Sequence, residues 1–275
     1  MFKHTLSILL LLAVAGLALP SAAPAYDFTV TILATHHPTY CQQVLGLEYD
    51  EGYDELMFVS DTNNKIYACN PNNGVYLGDW DVHGSNGSGW GVCLDDTTNI
   101  LANDTANSSM WEFDGSNWSN FTNPCGSNGR GMDGNSYYTW AVDRSGGDHE
   151  IRRFLDDGTA IMNFNADEPG SDLTGLTVFP HDSKLWIMVT TESNSKFWFY
   201  EFDEPHNELD FIAEISTPSC STSLGLAYAP SRDSFFWSYT YSSSYYITEL
   251  DIDISQSNIE ETTWGQLKAA HSLAN

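Results

Sequence analysis

Short segments in which apolar and polar residues alternate run through most of the chain, and polar turns separate them. Typical segments span residues 28–33, 56–60 and 185–190, and they are rich in β-branched and aromatic residues, which favour extended backbone. The turns are dense in Asp, Asn, Gly and Ser. Apolar residues at helical spacing are absent from this part of the chain. The pattern therefore predicts an all-β domain.

A short motif recurs along these segments: a glycine, an apolar residue, a variable residue and usually a second apolar residue. Its spacings are 45, 40, 44 and 50 residues, a period that suits a blade of four strands. We therefore predict a β-propeller with five blades of four antiparallel strands, with six blades as the alternative. The motif glycines are Gly46, Gly91, Gly131, Gly175 and Gly225.

The two ends of the repeat region make different predictions. The fifth unit lacks an obvious fourth strand, and residues 28–33 would supply it, which closes the ring and leaves no long unpaired edge. We place the propeller domain at residues 26–255. In the tail, residues 256–275, Ser257 and Glu260 form a capping-box pattern that predicts a short helix packed against the ring. Recognition of a partner through Trp264 is the alternative.

Residues 1–25 have the layout of a secretory signal peptide: Lys3, an apolar run over residues 6–19, and small residues up to Ala25. The run has 14 residues, fewer than the ~20 that a membrane-spanning helix needs. We expect cleavage after Ala25 and a secreted chain, extracellular or periplasmic, without a membrane span.

Charge narrows the choice of partners. The chain has 10 Lys and Arg against 37 Asp and Glu, a formal charge of −27, and loss of the leader with Lys3 makes it −28. Nucleic acid is excluded as a partner because binding it requires basic residues that displace counterions. Divalent cations and cationic surfaces fit this charge, although solubility in a salty medium is the favoured explanation. We expect a monomer.

All five cysteines lie in the exported part, where disulfides persist. Cys41 and Cys220 each precede a motif glycine by five residues, in blades that become neighbours when the ring closes. We predict a disulfide between them and leave Cys125 as a free thiol.

Candidate ligand-binding residues fall in two groups. Loops between blades are expected at the mouth of the central funnel, and they contain His36, His37 and His83 and the cysteines at positions 41, 125 and 220. The simpler interpretation is that these histidines are exposed loop residues without a role. The third motif position faces away from the apolar pair. It holds Glu48 and Asp133 in blades one and three, where a packed innermost strand favours small residues. These two carboxylates would hold Ca²⁺ or another divalent cation across the channel, unless channel water simply solvates them.

Residues 56–67 resemble the repeats of NHL-type propellers, with a strand followed by Asp61, Thr62, Asn63, Lys65 and Ile66. The second repeat keeps an Asp-Thr pair and an asparagine at positions 104, 105 and 107, and the third keeps aspartate at 143 and isoleucine at 151, whereas the last two depart from the pattern. The resemblance implies a propeller of a group that includes binding scaffolds, metal-dependent lactonases and a streptogramin lyase. For the turn aspartates, hydrogen bonds to nearby backbone N–H groups are favoured over metal ligation.

The sequence carries no catalytic signature such as a nucleophile elbow or a His-Glu-x-x-His motif. We therefore predict an extracellular or cell-surface binding scaffold for a protein or carbohydrate. The alternative is a metal-dependent hydrolase, similar to gluconolactonase-like propellers, or a lyase, with its ion in the channel and with Asn103 or His83 assisting the two carboxylates.

Overall fold

The computed structural model describes residues 26–82, 89–95, 98–134, 137–144, 149–170 and 172–256. Within them the chain is almost entirely β, because each run of β-branched and aromatic residues becomes a strand and each Asp/Asn/Gly cluster becomes a turn. The strands are β1 (Tyr26–His36), β2 (Leu47–Asp50), β3 (Glu55–Ser60), β4 (Lys65–Cys69), β5 (Tyr76–Asp81), β6 (Gly89–Leu94), β7 (Ile100–Asp104), β8 (Ser109–Phe113), β9 (Trp118–Thr122), β10 (Gly129–Gly134), β11 (Thr139–Asp143), β12 (Glu150–Phe154), β13 (Ala160–Asn165), β14 (Leu173–His181), β15 (Lys184–Thr191), β16 (Lys196–Asp203), β17 (Glu208–Ser216), β18 (Thr222–Ala229), β19 (Ser234–Tyr241) and β20 (Ser244–Gln256).

The strands form five antiparallel sheets of four, as the repeat predicts. Blades one to four are β2–β5, β6–β9, β10–β13 and β14–β17, and blade five has the order β1-β20-β19-β18. The innermost strands β2, β6, β10, β14 and β18 contact one another in a closed circle, and β10 also contacts β2 and β18 across it. The prediction of a five-bladed propeller is confirmed, and its central channel is narrow.

The predicted closure by the N-terminal segment is also confirmed. β1 lies beside β20 as the outermost strand of blade five, so both ends of the described chain contribute to one sheet. The strand is longer than residues 28–33, and its first residue also packs: the Tyr26 ring lies 5.0 Å from that of Trp186. Within the predicted segment, the Phe28 ring lies 4.8 Å from that of Phe199. The predicted helix in residues 257–275 and the leader lie outside the described residues, in which no helix is long and apolar enough to cross a membrane.

The motif glycines mark the places where neighbouring innermost strands approach most closely. None of the five has a positive φ, so the requirement is one of space rather than of backbone conformation. A Cβ on Gly225 would lie 2.3 Å from the carbonyl oxygen of Leu45, and one on Gly131 would lie 2.6 Å from the backbone nitrogen of Leu176. Each glycine faces the next blade in this way, around the whole ring: Gly46 faces 90–91, Gly91 faces 130, Gly131 faces 174–176, Gly175 faces 224–225 and Gly225 faces 45–47.

Near the motif glycines, two buried side chains on the second strand of their blades hold neighbouring blades together by hydrogen bonds. Asn103 Oδ1 accepts hydrogen bonds from the backbone N–H groups of Trp90 and Gly91, both at 2.8 Å, and its Nδ2 donates to the carbonyl of Arg130 in blade three at 2.9 Å. Ser238 Oγ accepts from the N–H of Gly225 and donates to a carbonyl of blade one. Both residues satisfy backbone groups that an irregular strand pairing leaves free.

Candidate functional site

The third motif position forms a ring of side chains at the centre of the propeller. Alternation along each innermost strand turns this position away from the apolar pair that packs between blades. In blades two, four and five it holds Cys93, Thr177 and Ala227, which are small and almost fully buried. Glu48 and Asp133 occupy the same position in blades one and three, so two carboxyl groups enter a site built for small residues.

Asp133 is anchored to the neighbouring blade. Its Oδ2 accepts a hydrogen bond from Thr177 Oγ1 at 2.6 Å and another from the backbone N–H of Val178 at 2.7 Å. Only 8% of the residue is exposed. Burial raises the pKa of Asp133 from 3.8 to about 7, although these hydrogen bonds stabilise the carboxylate and oppose the rise. The position of this carboxyl group is therefore fixed, and its ionised form is energetically unfavourable because the group is buried.

Glu48 lies close enough to Asp133 for the two charges to interact across the narrow channel. Burial raises the pKa of Glu48 well above its ordinary value, and the negative charges of Asp133 and Asp50 raise it further. Burial also raises the pKa of Cys93, followed by the charges of Glu48 and Asp133. The structure thus brings together the two carboxyl groups that the sequence singled out. No group of three or more His, Cys, Asp or Glu side chains in the described ranges is arranged to hold a metal ion.

A large cavity opens from Glu48 onto the face where first strands end and second strands begin. Its volume is about 1070 Å³, and blades one and two supply most of its wall. Its aromatic side chains are Tyr49, Tyr53, Trp80 and Phe113, and no Lys, Arg or His is found among the described residues that line it. Its carboxylates are Glu48, Asp50, Glu51, Glu55, Asp95 and Asp114. We call this space the acidic cavity.

Backbone turns hold several of these carboxylates in place. Asp50 Oδ1 accepts hydrogen bonds from the N–H groups of Gly52 and Tyr53, and Asp114 Oδ1 accepts two in the same way from residues 116 and 117. These bonds lower the pKa of Asp114, which keeps it charged. For Glu55, burial and the nearby Asp50 raise the pKa. The wall therefore carries fixed negative charge that no described basic side chain of the cavity neutralises.

The predicted histidines lie elsewhere. His36 is the last residue of the outermost strand of blade five, and its Nε2 lies 3.0 Å from the carbonyl oxygen of Pro71. His37 Nδ1 lies 2.7 Å from the carbonyl oxygen of Tyr245. Both imidazoles thus engage backbone at the outer edge of the ring, away from the channel where we expected them. His83 lies outside the described residues.

Asn103 also differs from its expected role. It is fully buried, and its side-chain oxygen and nitrogen are both occupied by backbone groups, so the asparagine fastens blades two and three rather than facing a ligand. The turn aspartate Asp104 accepts backbone hydrogen bonds, as predicted: its Oδ1 accepts hydrogen bonds from the N–H groups of Ala106 and Asn107.

The predicted disulfide is absent: Cys41 and Cys220 are free thiols. Cys41 Sγ lies 3.9 Å from the carbonyl oxygen of Pro38, and Cys220 Sγ lies 3.5 Å from Ser195 Oγ, which lies in blade four rather than blade one. Equal spacing from a glycine therefore did not place the two thiols within bonding distance of each other. Cys125 is a buried free thiol, and burial raises its pKa.

Comparison with known proteins supports the fold. No protein-family profile matches the chain, and no curated protein sequence matches it. Among solved structures, glutaminyl cyclase from Myxococcus xanthus superposes with a TM-score of 0.60 at 11% identity, over 82% of this chain and 97% of the cyclase. A luciferin-regenerating enzyme superposes with a TM-score of 0.53 at 9% identity, over 82% and 95% of the two chains. A chain of a nidogen/laminin complex reaches 0.51 at 12% identity, over 72% and 73%.

These similarities establish a β-propeller, and at such identities they establish the fold alone. The similar proteins include enzymes as well as a protein from a binding complex. Function must therefore be argued from the cavity and its residues.

Proposed function

We propose that this protein is an exported propeller that binds an organic cation in the acidic cavity. The observation that supports the proposal is the lining itself: six carboxylates and four aromatic side chains around about 1070 Å³, with no basic side chain among the described wall residues. Apolar walls with a few oriented polar groups are the usual construction of a small-molecule site.

The carboxylates favour a positive ligand because they lie in a partly enclosed space. Low-dielectric walls concentrate the field of fixed charges, so a cation is attracted more strongly than on an open surface. Burial raises the pKa of both Glu48, on the innermost strand of blade one, and Glu55, at the start of β3. A bound ammonium group would lower both pKa values again, so ligand binding and ionisation of these carboxyl groups support one another.

The aromatic side chains favour an organic cation over a bare metal ion. An ammonium group with an apolar body gains from contact with the faces of Tyr, Trp and Phe rings, whereas a hard metal ion requires a shell of oxygen ligands. Tyr53 is 79% exposed at the cavity, so its ring is available to a ligand. The cavity therefore suits an amine attached to a flat or apolar group.

Benzylamine is a suitable probe, and benzamide is its neutral counterpart. We expect calorimetric titration of the mature chain, residues 26–275, to show saturable benzylamine binding with a dissociation constant of about 1 mM or tighter, and binding of benzamide at least about tenfold weaker. Exchanging Glu48 and Glu55 for glutamine should weaken benzylamine binding at least about tenfold, because two carboxyl groups that would ionise beside the ammonium group are lost. Higher salt should weaken it as well.

The matched control is Glu208→Gln, which removes one charge from an exposed position on the outermost strand of blade four. It should leave benzylamine binding unchanged, whereas Tyr53→Ala should weaken it without loss of stability. Equal affinity for benzylamine and benzamide, or full affinity in the Glu48→Gln/Glu55→Gln variant, would contradict the proposal.

A second candidate is a metal-dependent hydrolase or lyase, favoured by the proximity of Glu48 and Asp133 in the channel. The pair would supply part of the six to eight oxygen ligands that Ca²⁺ takes, with water completing the shell. Such an ion would polarise a substrate oxygen or lower the pKa of a bound water. Metal analysis of the purified protein tests this directly. A stoichiometric ion that is lost in the Glu48→Ala/Asp133→Ala variant supports it, and metal-free protein with unchanged melting in chelator contradicts it.

A further inference from the structure

A second cavity lies between blades three and four, on the same face of the ring as the acidic cavity. Its volume is about 610 Å³, within the range of small-molecule sites. Blade three supplies Trp140 on β11 and Arg153 on β12, with Tyr138 just before β11, and blade four supplies Leu185 and Phe202. No residue of the acidic cavity contributes to this wall.

The wall contains a buried guanidinium group in which two nitrogens have no hydrogen-bond partner among the described residues. Arg153 is only 5% exposed, and its Nε and Nη1 are buried without any acceptor in the part of the chain that the structure describes. The carbon at the centre of the guanidinium lies 3.9 Å from the centroid of the Tyr138 ring and 5.0 Å from that of Phe202. Trp140, the cross-strand partner of Arg153, also has a buried indole N–H without an acceptor. Several hydrogen-bond donors therefore converge on one aromatic-walled space.

The neighbouring residue shows how unusual this arrangement is. Arg152 points to the other side of the same strand, where its guanidinium pairs with Asp143 at 2.8 Å and with Glu150 at 2.9 Å. Arg232 in blade five likewise pairs with Glu249 at 2.9 Å. Carboxylates pair with these two arginines, whereas none of the carboxylates in the described ranges pairs with Arg153 Nε or Nη1. Contact with aromatic faces offsets part of the cost of burying a charge, and an anion would offset the rest.

The donors define the anion. A guanidinium presents parallel N–H groups that match the two oxygens of a carboxylate, and the nearby rings of Tyr138 and Phe202 suit a flat apolar body. The rim carries Asp203 and Glu204 beside Lys184, which is itself paired with Glu201. Because these acidic side chains repel further negative charge, a monoanion is favoured over phosphate or a dicarboxylate.

We propose that this cavity binds a small monocarboxylate with a flat, apolar body, held by Arg153 between Tyr138 and Phe202. The proposal is independent of the acidic cavity, because the two sites select opposite charges and share no residue. Occupation of the site would supply the counter-ion that the buried guanidinium lacks.

The test uses benzoate and 2-naphthoate as probes, followed by calorimetry and by the tryptophan fluorescence to which Trp140 contributes. We expect saturable one-to-one binding of both probes, and at least about tenfold weaker binding of benzamide and of inorganic phosphate. Arg153→Met should weaken the binding of both carboxylates at least about thirtyfold, because it retains an unbranched apolar side chain in place of the stem but removes the charge and the N–H donors. Arg153→Lys should also weaken it, since an ammonium lacks the planar fork.

Two comparisons make the result decisive. The wild-type contrast between benzoate and benzamide needs no variant, so it stands even if Arg153→Met folds poorly. Glu48→Gln/Glu55→Gln should bind benzoate with wild-type affinity, which separates this site from the acidic cavity. The proposal is overturned if neither carboxylate binds up to about 20 mM, if benzamide binds as tightly as benzoate, or if a folded Arg153→Met protein retains full affinity.

Discussion

Gly225→Ala is expected to lower the free energy of unfolding by about 3 kcal/mol or more and the melting temperature by roughly 6–12 °C. The added Cβ would lie 2.3 Å from the carbonyl oxygen of Leu45, 2.7 Å from the nitrogen of Leu47 and 2.9 Å from the Cα of Gly46. All three contacts are with backbone of blade one, so no side chain can rotate away. The strands at the junction of the last and first blades would have to separate. Thermal or urea unfolding of the purified variant measures the effect.

Gly78→Ala is the matched control, since Gly78 also lies in a strand without positive φ but a Cβ there meets nothing within 4 Å. Its unfolding free energy should change by less than about 1 kcal/mol. Gly131→Ala, at the junction of blades three and four, should behave like Gly225→Ala. A Gly225→Ala protein that melts at the wild-type temperature would show that the close approach of the blades is not required.

Asp133→Asn is expected to stabilise the protein, and increasingly so as the pH rises. The folded-state pKa of Asp133 lies above its ordinary value, so between about pH 4 and pH 7 the folded protein binds more protons at this residue than the unfolded chain does. Stability from this group is therefore lost as the pH rises through that window. The rise from 3.8 to about 7 corresponds to about 4 kcal/mol at 1.36 kcal/mol per pKa unit. Asparagine carries no charge and avoids this loss.

Urea unfolding at about pH 5 and about pH 8.5 measures the difference, and the advantage of Asp133→Asn should grow by roughly 3 kcal/mol between them. Its Oδ1 remains able to accept the hydrogen bonds from Thr177 and Val178. Asp251→Asn, at an exposed position on β20, removes the same charge and should show no such growth. A stabilisation that does not change with pH would contradict the assignment of a costly buried carboxylate.

The architecture was predictable because the same physical requirement recurs five times. Each blade needs a glycine where its inner strand touches the next blade, so Gly46, Gly91, Gly131, Gly175 and Gly225 appear at nearly regular spacing. The missing fourth strand of the last repeat likewise indicated closure by the N-terminal segment. The role of Asn103 could not be predicted, because it depends on an irregularity between β6 and β7 that one sequence does not show.

The site was predictable only in part. Glu48 and Asp133 stood out because small residues occupy the same position in the other blades. The loop histidines were misleading, because we expected the loops between blades to surround the ligand, and the acidic cavity opens on the other face. Arg153 could not be singled out from the sequence, because a single sequence does not show which side chains are buried or which acceptors lie near them. The adjacent Arg152 was the available signal: neighbouring residues of a strand face opposite sides, so two consecutive arginines cannot both pair with the same carboxylates.

Closure by β1 has a consequence for biosynthesis. Thr35 on β1 lies 3.0 Å, Oγ1 to Oγ1, from Thr248 on β20, 213 residues further along the chain. The strand that is synthesised first therefore waits for one of the last, and a ring assembled from a chain without β20 keeps an open edge on blade five. Chains that end before β20 are therefore expected to be more open to proteases and to edge-to-edge association than chains that contain it.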